Sequence, residues 1–314
     1  MIPPVIKDAV MYANLLILLS TGFTLTYLTA KIPNFAHGTF AAIGVYVTFT
    51  VLRIWGLNPY IAAPIAFLIG AGSGAFLYVV VIGTLKKYGA TLISLTISTL
   101  AIEIIVLAII NIYADYVRNT MGIISRMFMF RYADFEFIGL PGVLIVSTTL
   151  AVLLILGFHL MLTKTKFGIS MRATVEDPAL ASVLGVNVEL VSTVSWFLTG
   201  GLAGLAGSLL PLWLQGSPLT GERILISIMA SSILGGISSI YGAILGGYLI
   251  GLTEVLGTVA LMDLLGSWVS AYRLLIPLTA MAIVLLRAPH GVVGIFEGVR
   301  ARGLSLRGIM RLKQ

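Results

Sequence analysis

The chain has 314 residues, 59% of them hydrophobic and 10% charged, with a mean hydropathy of +1.07. A water-soluble domain carries about 25% charged residues, so water is excluded as the solvent for most of this surface. The net charge of +7 does not signal nucleic acid, because the basic residues sit in short segments between apolar runs and in the tail, where they orient a membrane protein.

In chain order, the apolar runs predict nine spans, at 9–30, 36–54, 60–83, 91–113, 141–163, 191–213, 224–237, 241–261 and 268–287. Roughly 20 apolar residues cross a bilayer as a helix. None of the runs alternates as a transmembrane barrel strand does, and backbone groups in lipid must be paired within their own segment. The expected fold class is therefore all-α, a polytopic transmembrane bundle of about 8–9 segments making one domain over 1–314. Lys7 and Asp8 precede the first run and no small-residue cleavage site closes it, so that run is read as a retained span.

The seventh run is unusual. At 1.5 Å per residue, 224–237 covers about 21 Å, less than the roughly 30 Å hydrocarbon core. It ends in Gly235-Gly236, the chain resumes at Tyr241-Gly242, and no charge lies between Arg223 and Glu254. The region 224–247 is thus either a short crossing helix with a tight turn or a broken helix that enters partway. Lys31, Lys86, Lys87, Lys164, Lys166, Arg172, Arg287 and the basic tail 288–314 place the C-terminus inside and, over nine crossings, the N-terminus outside. The polar, aromatic segment 114–140 is long enough to fold back over the outer mouth. The tail either lies on an anionic inner leaflet or is disordered. Pairs of glycines four residues apart (Gly70 and Gly74, Gly200 and Gly204, Gly242 and Gly246, Gly247 and Gly251) let helix backbones approach closely.

Catalytic chemistry finds no support. His37, His159 and His290 are scattered, cysteine is absent, and no H-E-x-x-H, Walker A or G-x-S-x-G pattern occurs. The informative polar segment is 164–190. There Asp177 suits an N-cap, Pro178 the first helical position, and Gly185 the left-handed residue after a helix. They predict a helix over 178–184 with an apolar face of Leu180, Val183 and Leu184. Alone in water so short a helix is marginal, so it docks on its own bundle, on lipid, or on a separate cytoplasmic partner.

Two acids lie inside apolar spans, where ionisable groups are functional candidates. Glu103 shares a polar stripe with Thr96 and Thr99; Thr91, Ser94 and Ser98 occupy another face. Glu103 either meets the amino group of a zwitterionic solute or is a structural acid. Glu254 is expected nearer the outer end, partly hydrated and structural. His37 is expected at a span end, capping backbone groups or packing at the interface. The Gly235–Gly247 break is a candidate pore segment, since broken helices present backbone donors that suit a carboxylate.

Several runs together resemble one family. They are Asn34-Phe35-Ala36-His37-Gly38, Lys164 through Thr174 with Asp177, Ala181 and Gly185, Ala203-Gly204-Leu205-Ala206-Gly207, and Gly235-Gly236 through Gly247 with Glu254 beyond. In this order, over most of residues 10–290, the chain is similar to the branched-chain amino acid permeases of ABC importers. The resemblance implies a permease in a prokaryotic plasma or inner membrane. It would work with a second permease, two cytoplasmic ATP-binding subunits and an extracytoplasmic solute-binding protein. No cofactor is then expected on this chain, ATP being used by the partners to drive alternating access. Gly168, Arg172, Ala173, Asp177, Pro178, Leu180, Ala181 and Gly185 would form the ATPase-coupling loop. The expected translocation path comprises Asn34, His37, Thr96, Thr99, Glu103, Gly235, Gly236, Gly242 and Gly246. The cargo implied is a branched-chain or related small amino acid, with urea and short amides as further solutes of the family. An ion-coupled secondary transporter or channel is the competing class, and Glu103 is its one deep coupling candidate.

Overall fold

The computed structural model describes residues 3–288 and 291–294; most of the expected tail, with His290, lies outside them. Helix α1 (Pro4–Ala30) opens on a proline and closes at Lys31, whose φ of 58° ends the helix. Helix α2 (His37–Phe49) continues through a π-helical turn to Ile54. A 3₁₀ turn at Pro59–Ile61 leads into α3 (Ala62–Phe76), which runs on through Leu77–Ile82 into α4 (Gly83–Lys87) as one rod. Then come α5 (Leu92–Met121), α6 (Gly142–Lys164), α7 (Lys166–Glu176), α8 (Pro178–Val183) and α9 (Val188–Leu209). The last three are α10 (Thr220–Gly235), α11 (Ile240–Leu265) and α12 (Leu275–Arg287). A small hairpin of β1 (Glu136–Phe137) and β2 (Leu140–Pro141) is the only sheet among the described residues. The protein is an all-α polytopic bundle.

Among the described residues, eight helical rods are long and apolar enough to cross a membrane. Helix α10 is shorter than these rods, its 16 residues spanning about 24 Å. It starts beside Tyr12, Glu254 and Arg273 and ends with Gly235 against Gly242. The turn after it, Ser238–Tyr241, faces Met171 and Arg172 of α7. Residues 224–247 thus form a short continuous helix, a tight turn and the start of α11.

The bundle therefore has two faces. On one lie the start of α1, the segment 122–141, the α9–α10 loop and the α11–α12 connection, joined by Lys7 Nζ to Gly139 O (2.6 Å) and Trp213 Nε1 to Asp8 Oδ1 (3.1 Å). On the other lie α7, α8, the α10–α11 turn and the Lys87–Glu189 ion pair. Helix α1 is the central element: 94% of its most apolar stretch is buried, against 17% for α5 and 12% for the last span. Its buried polar residues find neighbours, as Asn14 Nδ2 donates to Thr148 Oγ1 (2.8 Å) and Ser20 Oγ to Ala243 O (2.9 Å).

Three boundaries differ from the sequence reading. Helix α5 runs two turns beyond the expected end at 113 and stops at Gly122, whose φ of 67° an ordinary residue resists. The covering segment is correspondingly shorter. It lies over the ends of α2 and α9, where Phe128 and Gly216 exchange backbone hydrogen bonds, Phe130 N donates to Pro211 O (2.7 Å) and Tyr46 Oη to Ser125 O (2.8 Å). Outside the spans, pairing with Asp115 raises the Arg126 pKa above its ordinary value. The final span expected from 268 begins as a 3₁₀ turn at Ser267–Tyr272, and α12 starts only at Leu275. That start places Pro277 in the first turn, where its missing N–H breaks no helical bond.

Candidate functional site

The glycines are the contacts by which this bundle closes. A methyl group on Gly200 of α9 would overlap the carbonyl oxygen of Gly70 on α3, and one on Gly207 would overlap Ala41 O on α2. Between α10 and α11 the same holds for Gly235 against Gly242 O and Gly246 against Ser231 O. In lipid, where apolar burial drives no helix association, such close approach supplies the packing energy.

The start of α2 lies inside the bundle. His37 Nε2 is 2.9 Å from Leu19 O, well within α1, and the ring packs on Gly22. The connection after α1 must therefore fold back, and Ile32, Asn34, Ala36 and His37 are all buried to 1% exposure or less. Of the two expectations for His37, the ring meets a backbone group, Leu19 O, and does not pack at an interface, being fully enclosed. The segment is pinned from α5, where Thr99 Oγ1 accepts from Phe35 N (3.3 Å). Glu103 lies one turn further along α5, half-buried. Gly38 and Gly221 meet backbone to backbone. The starts of α2 and α10 and the middle of α5 thus converge.

Of the expected path residues, Asn34, His37, Thr99 and Glu103 are drawn to this convergence. Thr96, half-buried, bonds back to Leu92 O within its own helix (2.9 Å). Gly235, Gly236, Gly242 and Gly246 belong to a separate place, the α10–α11 crossing near the opposite face, where Gly291 also packs on Gly236. Within the convergence region and the helices around it, Asn34 Oδ1 and Nδ2, His37 Nδ1, Thr21 Oγ1 and Ser227 Oγ are buried without a hydrogen-bond partner among the described residues.

At the second face, Asp177 Oδ1 accepts from Ala179 N (2.9 Å) and Leu180 N (3.0 Å), capping α8 with Pro178 as its first residue. Gly185 follows at φ 86°. Ala181 is the anchor, 1% exposed, while Leu180, Val183 and Leu184 are 57%, 84% and 72% exposed. The apolar face of α8 thus points away from its own bundle. Helix α7, absent from the sequence reading, begins after a one-residue break where Thr165 Oγ1 caps Gly168 N (3.0 Å). Gly168 lies on the backbone of Met161 and Leu162, Met171 and Thr174 are buried, Ala173 is half-buried and Arg172 is exposed. The apolar spacing of Phe167, Met171 and Val175 was the signal for it. Between α7 and the α10–α11 turn lies a cavity of about 480 Å³, bounded by Leu28, Met171, Arg172, Ser239 and Tyr241.

Glu254 requires a correction: it is 1% exposed, not hydrated. Arg273 Nε donates to its Oε1 at 2.6 Å, and Tyr12 Oη lies 3.2 Å from both carboxylate oxygens. A buried acid in a span demands a partner, and Arg273 is the next basic residue along the chain.

Residues 5–285 match the family described as branched-chain amino acid transport system / permease component. The chain belongs to that permease family. It is 42% identical over 291 residues, 93% of this chain and 92% of the relative, to the probable branched-chain amino acid transport permease protein LivH of Methanocaldococcus jannaschii. It is 27% identical to the high-affinity branched-chain amino acid transport system permease protein BraD of Pseudomonas aeruginosa, over 88% of this chain and 91% of that one. The autoinducer 2 import system permease protein LsrC of Yersinia enterocolitica is 29% identical, over 82% of this chain and 68% of the relative. The chain is thus a multi-pass membrane protein of a transport-permease family.

Proposed function

We propose that the chain is the membrane-spanning subunit of an ABC importer for branched-chain or related small amino acids in a prokaryotic plasma or inner membrane. The observation that carries this reading is α8: a capped, two-turn helix in a permease-family chain whose Leu180, Val183 and Leu184 face outward. A helix this short gains its stability from a partner surface. In this reading the partners are two cytoplasmic ATP-binding subunits, which makes the α7–α8 face and the C-terminus cytoplasmic. A second permease completes the pore, and an extracytoplasmic solute-binding protein delivers cargo to the opposite face. The chain itself performs no catalysis and binds no cofactor.

In this reading the chain works by alternating access. ATP-driven movement of α8 reaches α7, and α7 borders the cavity shared with the α10–α11 turn. The Gly235–Gly246 crossing then acts as the sliding contact, since helices packed by backbone alone have no side chains to interlock. Solute passes the convergence of α2, α5 and α10, where Asn34 and His37 atoms without a partner among the described residues exchange hydrogen bonds with it. The amino-acid cargo is supported by the likeness to the 42%-identical probable branched-chain amino acid transport permease.

The test is affinity purification of the tagged chain from its native membrane, followed by identification of the co-purifying chains. Two ATPase chains and a second permease, lost in an Asp177→Ala, Leu180→Ala variant, are the expected result. A lone chain that moves solute after reconstitution without ATP refutes the importer and favours ion coupling through Glu103.

A further inference from the structure

On the face that carries the start of α1, a cavity of about 440 Å³ lies between the α9–α10 loop, the start of α10 and the α11–α12 connection. Its size falls within the range of small-molecule sites, about 300–1,000 Å³. Its chemistry is divided. Leu214, Ile224 and Leu274 supply an apolar wall, while Arg223 and Arg273 supply two guanidinium groups.

Arg273 is held in place. Its Nε is spent on Glu254 (2.6 Å), and its guanidinium carbon lies 4.5 Å from the Tyr12 ring centroid and 5.8 Å from that of Trp213. Trp213 is itself fixed by its hydrogen bond to Asp8. Such stacking fixes the plane of the guanidinium. Neither Nη group of Arg273 has a hydrogen-bond partner among the described residues, and the Arg223 side chain has none either. Glu254 thus neutralises and orients Arg273 while leaving free the paired donors that a carboxylate matches best.

We propose that this cavity is a receiving site for an α-amino acid with an aliphatic side chain. Its carboxylate binds Arg273 Nη1 and Nη2 with Arg223 closing over it, and its side chain lies on Leu214, Ile224 and Leu274. Arg223 and Arg273 are then binding residues, and Glu254 is a positioning residue. The proposal rests on the amino-acid cargo proposed above and adds where on this chain the cargo is first held.

The probe is radiolabelled L-leucine, bound at equilibrium to the full chain in lipid nanodiscs. Competition uses 4-methylpentanoate, which keeps the carboxylate, and isoamylamine, which lacks it. Saturable leucine binding is expected, displaced by 4-methylpentanoate but not by isoamylamine. Arg223→Gln, Arg273→Lys and Ala271→Trp should each weaken it at least about tenfold. Arg223 and Ala271 are exposed, so those two variants keep the fold, and unchanged elution and melting confirm it. Absence of saturable binding, or binding within about twofold of wild type in Arg223→Gln and Ala271→Trp, overturns the site. Leucine uptake by cells carrying the chain is measured in parallel. Uptake without pocket binding sinks only this site, whereas no chain-dependent amino-acid uptake sinks the transport reading itself.

Discussion

Replacing Leu180 and Leu184 together by alanine separates docking from folding. Full burial of a leucine side chain is worth about 1.5–3 kcal/mol. Leu180 is 57% exposed and Leu184 72% exposed, so a partner surface has roughly 1–2 kcal/mol left to gain from each. Alanine keeps the β-carbon, which leaves a loss of about 1 kcal/mol per site and about 2 kcal/mol for the pair. That corresponds to a weakening of roughly 30-fold in Kd. The fold should barely notice, because both side chains are exposed and neither makes a side-chain cap, and such surface changes shift stability by only about 0.5 kcal/mol. The assay is the affinity of purified ATPase subunits for the chain in nanodiscs, with ATP-driven uptake as a second reading. Ile105→Ala on the exposed side of α5, itself 57% exposed, serves as a control of equal chemistry at a different place. A shift below about threefold for the pair, or an equal shift for the control, would refute the docking role of α8.

Other outcomes follow from the packing and the buried charges. Gly200→Ala drives a methyl group into the Gly70 carbonyl and should cost about 1–3 kcal/mol. Gly157→Ala, which meets open space, should be neutral or gain up to about 1 kcal/mol; thermal melts in detergent compare the two, and equal melting temperatures would contradict the seam. Glu254→Leu leaves Arg273 without its carboxylate and should cost about 3 kcal/mol, the lower end for a broken buried pair because Arg273 is partly exposed. Adding Arg273→Met should recover most of that loss, and failure to recover would mean that the pair is not the source. In a reconstituted complex, uptake should stop on ATP depletion, survive collapse of ion gradients, and persist in Glu103→Gln. Uptake that follows the gradients and vanishes in Glu103→Gln would assign the driving force to ion coupling.

The solvent, the helical fold and the ends of α8 were legible in the sequence because each is a local matter. Lipid offers no hydrogen bonds, so every apolar run must satisfy its own backbone, which makes run length and composition sufficient to place a span. Asp177, Pro178 and Gly185 act within a few residues of themselves, and the helix they bracket forms as Pro178–Val183. The convergence of α2, α5 and α10 was not legible. Asn34 lies in the connection after α1 and Thr99 on α5, and nothing in either run states that this connection folds back to the level of Leu19. Glu254 could be read as an intramembrane acid, but its enclosure depends on Tyr12 and Arg273 arriving from two other elements. Glycines four apart announce a close contact without naming its partner. That Gly200 meets Gly70 while Gly246 meets Ser231 is decided by the shapes of whole helices, because packing in lipid rewards complementary surfaces and not composition.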